Sequence, residues 1–204
     1  MEIKICGLRR EEDIDYVNKL KPDYVGFVFA KSKRQVTPYK AKKLIEELDK
    51  SIKKVGVFVN QNKEHIKQIA KICNLDVLQF HGDEKPGDIV GFEQKVWKSF
   101  SIKDKSSFKY MKYYDVNGYL LDTFIEGKKG GTGKVFDWDL ISCLNKDGFI
   151  ILAGGLNSEN IDVAIKKVRP QVVDISSGVE VDGHKDFNKM KRIIEKARDK
   201  KGRT

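Results

Sequence analysis

The sequence is poor in cysteine, in proline and in long apolar runs, and each shortage excludes something. Three cysteines occur in 204 residues, Cys6, Cys73 and Cys143. Their odd number and wide spacing exclude a disulfide framework and a CxxC zinc or redox site. No apolar run approaches the ~18 residues of a membrane span, and mean hydropathy is −0.49, so no membrane partner is expected. There are only four prolines and no Pro/Ser-rich stretch, so nothing marks a linker. One domain over residues 1–204 is expected, with a basic tail from about residue 199. No basic segment leads into an apolar one near Met1, so no secretory leader is visible and a cytoplasmic location is expected. Nucleotide loops are missing too. No GxGxxG follows a strand, and the glycine-rich run at 127–134 has the wrong spacing for a Walker loop, with Val135 where a Ser or Thr would hold magnesium.

What the sequence has in excess is positive charge: 40 Lys and Arg against 30 Asp and Glu, a formal +10. Such a balance suits nucleic acid, a phosphorylated small molecule or a membrane surface, or else a Lys/Glu-rich surface without a charged partner. An RNA-binding protein would interleave aromatics with arginines on one face. No such stripe is present, so nucleic acid is not expected as a partner. Residues 189–204 hold eight bases and two acids, so +6 of the +10 lies in the last helix and tail.

Short apolar runs alternate with longer amphipathic ones from end to end. Strands are predicted at 2–6, 23–29, 54–59, 76–80, 95–100, 118–122, 148–153 and 171–175. Helices are predicted at 10–20, 37–48, 60–72, 84–92, 104–113, 137–144, 158–168 and 187–198. Thr37, followed by Pro38, reads as one helix cap and Asn157 as another. Strands that are apolar throughout suit a parallel sheet covered on both faces. Eight β-then-α units in this length predict a single (β/α)₈ TIM barrel, with an open doubly wound sheet as the alternative.

In a barrel, chemistry gathers where strands end. Cys6, Arg34, His81, Asp122, Gly154-Gly155 and Ser176-Ser177-Gly178 all fall at or just beyond predicted strand ends. The last two loops follow strands seven and eight, where barrels often bind phosphate, and Gly131-Thr132-Gly133 would close a third side. Cys6 and Asp122 form a candidate acid–base pair, though composition does not fix which is which. A strand-end cysteine is otherwise a small buried hydrophobe, the reading that suits Cys73 and Cys143. Arg34 reads either as a solvated basic loop residue or as a bidentate carboxylate clamp. His81 reads as a substrate-orienting or a structural histidine.

Several strings together resemble one family. They are Lys4-Ile5-Cys6-Gly7, Ser32-Lys33-Arg34, Leu78-Gln79-Phe80-His81-Gly82, Leu120-Leu121-Asp122-Thr123, Gly130-Gly131-Thr132-Gly133, Ala153-Gly154-Gly155-Leu156-Asn157 and Asp174-Ile175-Ser176-Ser177-Gly178-Val179-Glu180. In this order and spacing the chain resembles phosphoribosylanthranilate isomerase. The resemblance implies an aldose–ketose isomerase of tryptophan biosynthesis, acting on a small phosphorylated substrate as a monomer or homodimer. By resemblance Asp122 is the general acid, Cys6 the general base and Arg34 the receiver of the anthranilate carboxylate. Gly131, Thr132, Gly133, Gly154, Gly155, Ser176, Ser177 and Gly178 would form the phosphate cradle, with His81 and Asp174 near the substrate. No cofactor and no metal is implied, because the substrate's own imine serves as electron sink.

The chemistry then sets requirements. A free thiol is only a few per cent thiolate at pH 7, so Cys6 needs a cation, from Lys4, Lys98 or a helix N-terminus. Asp122 must hold a proton, a state that partial burial favours. The nearest rival is another sugar-phosphate isomerase on the same barrel. A related barrel isomerase of histidine biosynthesis uses two aspartates, and Cys6 argues against it.

Overall fold

Eight parallel strands close on themselves in the computed structural model, which describes residues 1–102, 104–122, 141 and 148–199. They are β1 (Glu2–Cys6), β2 (Tyr24–Val28), β3 (Lys53–Phe58), β4 (Val77–Phe80), β5 (Lys95–Ser101), β6 (Gly118–Asp122), β7 (Ile150–Ala153) and β8 (Val172–Ile175). Each pairs with its neighbour in sequence, and β1 meets β8 with Glu2 opposite Val172 and Ile5 opposite Ile175. Closure leaves no strand edge to protect. The helices are α1 (Glu11–Leu20), α2 (Pro38–Glu46), α3 (Lys63–Ile72), α4 (Ile161–Val168) and α5 (Phe187–Arg198). A two-stranded hairpin, β9 (Glu180–Val181) and β10 (His184–Lys185), follows β8. No described helix is long and apolar enough to cross a membrane.

The pleat sorts side chains into two layers. Ile3, Ile5, Val25 and Phe27 belong to the large cluster that packs with the helices. Tyr24, Val55, Val77, Trp97, Leu120, Ile151 and Val172 form the second cluster. Period two brings Gln79, Asp122 and Asp174 to the side of that cluster, and on β1 it sets Lys4 and Cys6 on the side opposite Ile3 and Ile5. The strands are therefore not apolar throughout, as the sequence reading had them: Lys4, Gln79, Ser99 and Asp174 are all buried.

Local sequence explains most element boundaries. Thr37 Oγ1 accepts from Lys40 N at 3.3 Å with Pro38 next, as predicted. Two predicted helices are instead 3₁₀ segments, Pro86–Ile89 and Lys105–Tyr113. Pro86-Gly87 gives poor helical propagation, and in the second segment Ser106 and Ser107 compete for backbone bonds. Asn157 does not cap a helix directly. Its Oδ1 accepts from Glu159 N at 2.8 Å and Asn160 N at 3.2 Å, capping the turn that precedes α4. The helix predicted at 137–144 lies outside the described residues apart from buried Ile141, and so does the tail beyond Asp199.

Candidate active site

Strand β1 carries two functional groups on one side. Lys4 is fully buried, and its Nζ pairs with Asp174 Oδ2 of β8 at 2.8 Å. Two residues on, Cys6 ends the strand at 8% exposure. Burial raises the thiol's pKa above its ordinary value and outweighs the lowering by the charges of Lys4 and Lys185. Burial opposes the charge on Lys4 as well, but Asp174 and Cys6 outweigh it, so the ammonium is held more firmly than usual. Asp174 Oδ1 is buried without a hydrogen-bond partner, an acceptor to which a ligand hydroxyl can donate.

Across the mouth, Asp122 ends β6. Its Oδ2 lies 3.3 Å from His81 Nε2. The side-chain amide of Gln79, two residues before His81, hydrogen-bonds His81 Nδ1 at 3.1 Å and holds the ring with Nε2 toward Asp122. His81 and Asp122 border a cavity of about 760 Å³ whose lining also includes Asn60, Ser101, Tyr110 and Tyr114. That volume falls in the range of small-molecule sites.

Arg34, in the loop after β2, is bidentate to Glu180. Nε donates to Oε1 and Nη2 to Oε2, both at 2.7 Å. Lys185 Nζ reaches the same carboxylate at 2.9 Å and also donates to Ser176 O at 3.0 Å. Burial alone would raise Glu180, but Arg34 and Lys185 outweigh it and hold the carboxyl at about 2. Burial in turn lowers Lys185. Ser176 Oγ donates to Cys6 O at 3.1 Å, tying the loop after β8 to the end of β1. The loop after β7 turns at Gly154 (φ +96°) and Gly155 (φ +64°) and is stapled by Asn160 Nδ2 donating to Gly155 O at 3.1 Å. A Cβ on Gly178 would lie 1.9 Å from Leu156 O, so the two loops touch backbone to backbone. Among the described residues no group of three His, Cys, Asp or Glu could hold a metal ion.

A closed barrel with a thiol and a carboxyl at strand ends, and with apposed glycine loops after β7 and β8, narrows the comparison with known proteins. The family model described as N-(5'phosphoribosyl)anthranilate (PRA) isomerase matches residues 3–196. The chain belongs to the phosphoribosylanthranilate isomerase family. N-(5'-phosphoribosyl)anthranilate isomerase of Thermoanaerobacter sp. strain X514 is 54% identical, covering 97% of this chain and 98% of the relative. The crystal structure of phosphoribosyl anthranilate isomerase from Thermotoga maritima superposes with a TM-score of 0.87 at 36% identity, over 97% and 98% of the two chains. A family structure in complex with reduced 1-(o-carboxyphenylamino)-1-deoxyribulose 5-phosphate gives 0.84 at 34% identity, with the same coverage.

Against this phosphoribosylanthranilate isomerase barrel, the sequence-derived residues separate into groups. Cys6 and Asp174 meet through Lys4, Asp122 meets His81, and Ser176, Ser177, Gly178, Gly154 and Gly155 gather in the two apposed loops. Arg34 is no solvated loop residue but half-buried against Glu180. Gly131, Thr132, Gly133 and Cys143 lie outside the described residues. Lys98, offered as a cation for Cys6, is committed elsewhere: buried, it pairs with Glu84 at 3.2 Å and donates to Gly82 O at 2.6 Å. Glu180, Lys185 and Gln79 were not singled out from the sequence. Glu180 ends the last matching string, but nothing local shows that it faces Arg34, 146 positions earlier.

Proposed function

We infer that this chain rearranges N-(5-phosphoribosyl)anthranilate to 1-(2-carboxyphenylamino)-1-deoxyribulose 5-phosphate in tryptophan biosynthesis. Asp122, protonated, donates to the furanose ring oxygen. The C1–O bond breaks, and the nitrogen lone pair forms the C1=N bond of a Schiff base. Cys6, as thiolate, takes the C2 proton; the C2–H electrons form C1=C2 and the C1=N pair moves to nitrogen, giving an enolamine. Loss of the C2 hydroxyl proton and gain of a proton at C1 complete the ketone. The imine accepts the electrons, so the route calls for no cofactor and no metal.

The observation that carries this reading is the pairing of a thiol beside a buried ammonium with a carboxyl beside an imidazole, at one mouth of the barrel. The charges of Lys4 and Lys185 favour the Cys6 thiolate against the burial that raises the thiol. Arg34 would receive the anthranilate carboxylate, and the loops after β7 and β8 the phosphate, with backbone N–H groups brought close by glycine. Asp174 Oδ1 has the free lone pairs to accept from a ribose hydroxyl.

The test is the loss of anthranilate-type fluorescence on mixing protein and substrate. Cys6→Ala and Asp122→Asn are each expected to cut turnover by about 10²–10⁴-fold, while substrate still binds. Near-full turnover in Cys6→Ala would remove the base assignment, and in Asp122→Asn the acid assignment.

A further inference from the structure

We propose that Lys4 is a positioning residue for the catalytic base: its buried ammonium, anchored by Asp174, holds the negative charge of Cys6 while the thiolate takes the C2 proton. The proposal rests on the reading of Cys6 as base. It starts from a buried cation that stability does not explain. An apolar side chain would serve a barrel interior at least as well as a buried ion pair, yet position 4 is a fully buried lysine.

The geometry supplies the task. Lys4 and Cys6 are two residues apart on β1 and therefore share a side. Opposite them on β2, Cys6 pairs with Gly26. A Cβ on Gly26 would lie 2.8 Å from Cys6 Sγ and 3.2 Å from Lys4 Nζ. Sulfur and ammonium thus converge over the one spot where β2 has no side chain. The neighbouring charges are otherwise engaged. From β10, Lys185 is held by Glu180 and Ser176 O. From the loop after β2, Arg34 is held by Glu180. From β8, Asp174 is an anion and opposes the thiolate. Lys4 has three N–H donors, one of them directed to Asp174 Oδ2. Its ammonium stays protonated beside two acidic partners, so it acts as a fixed charge and not as a second base.

Asp174 then has a double effect. It fixes the place of the Lys4 ammonium, and as an anion it opposes the thiolate and draws the lysine's charge partly away from sulfur. Removing Lys4 and removing Asp174 should accordingly move Cys6 in opposite directions.

The experiment follows alkylation of Cys6 by iodoacetamide against pH, with Cys6, Cys73 and Cys143 resolved by peptide mass spectrometry. The pH midpoint reports thiolate formation independently of how accessible the sulfur is. Lys4→Met is expected to raise the Cys6 midpoint by about one unit or more, a tenfold loss of thiolate at fixed pH. Asp174→Asn is expected to lower it. If Lys4→Met fails to fold around an unpaired Asp174, the neutral pair Lys4→Met/Asp174→Asn reads the same quantity, with a midpoint above that of Asp174→Asn alone. A folded Lys4→Met or double variant with an unmoved midpoint overturns the proposal, and so does an Asp174→Asn midpoint that fails to fall. The rising alkaline limb of kcat/KM should follow the alkylation midpoint in each variant. Failure of the underlying reading looks different: Cys6→Ala keeps its turnover, whatever Lys4 does to the thiol.

Discussion

At the scale of single residues, the guanidinium of Arg34 shows what a side chain can still do once its neighbours are counted. Its Nε/Nη2 side is filled by Glu180, so an incoming carboxylate would meet the outer end of the fork. On the proposed role of Arg34, Glu180 would orient the guanidinium without competing for it. Removing one charge-assisted pair costs about 1.5–3 kcal/mol, roughly tenfold to a hundredfold in affinity. Arg34→Ala is therefore expected to raise KM by at least about tenfold, with kcat falling less. Glu180→Gln is expected to raise KM by a smaller factor, since one accepting oxygen remains. A lower KM in Glu180→Gln would identify Glu180 as a competitor instead. The same variant reads out in acid. The Glu180 carboxyl is held at about 2 against an ordinary 4.5. A lowered carboxyl contributes stability that is fully present above the unfolded value and is lost as pH falls through the folded one. Acid unfolding of the wild type should thus steepen between about pH 4.5 and pH 2, and in Glu180→Gln that part of the slope should disappear.

At the scale of elements, the loops after β7 and β8 act as one unit because Gly178 allows their backbones to touch. Gly178→Ala would place a methyl carbon 1.9 Å from the Leu156 carbonyl oxygen, an atom that cannot swing aside. The loops must part, and inhibition by inorganic phosphate is expected to weaken by about tenfold or more if both supply N–H donors. Gly87→Ala, where an added Cβ meets nothing within 4 Å, serves as the neutral comparison. Equal phosphate inhibition in Gly178→Ala and wild type would remove these loops from the phosphate site. This is also the scale at which the sequence was easiest to read. Strand order and the strand-end positions of Cys6, His81 and Asp122 follow from short apolar runs with reactive residues at their ends, a local signal. The two 3₁₀ segments differ from the predicted α-helices because i→i+3 and i→i+4 bonding draw on the same residue types, and only the way the segment packs separates them. The partners of the site residues were not legible at all. Lys4 and Asp174 are 170 positions apart and Arg34 and Glu180 are 146 apart, and closing the barrel is what brings each pair together.

At the scale of the whole molecule, the structure redistributes the charge that composition could only total. Seven basic residues fall in predicted strand-end regions of the sequence: Lys31, Lys33, Arg34, Lys98, Lys128, Lys129 and Lys134. Of these, Arg34 shares Glu180 with Lys185 and Lys98 pairs with Glu84, and the last three lie outside the described residues. Lys31 and Lys33 are exposed. A substrate carrying phosphate and carboxylate would therefore be steered by a few exposed lysines near the mouth, together with the diffuse field of a +10 surface. The two sources differ in range. At about 0.01 M salt the Debye length is about 30 Å and the whole surface contributes. At about 0.15 M it is about 8 Å and only charges near the mouth are felt. Wild-type kcat/KM is expected to fall by a few-fold between these conditions. Lys31→Glu/Lys33→Glu should start lower and fall less, because its local contribution has been reversed while most of the surface field is kept. Parallel salt dependences in the two proteins would assign the steering to the distant surface, and would leave the mouth electrostatically neutral toward its substrate.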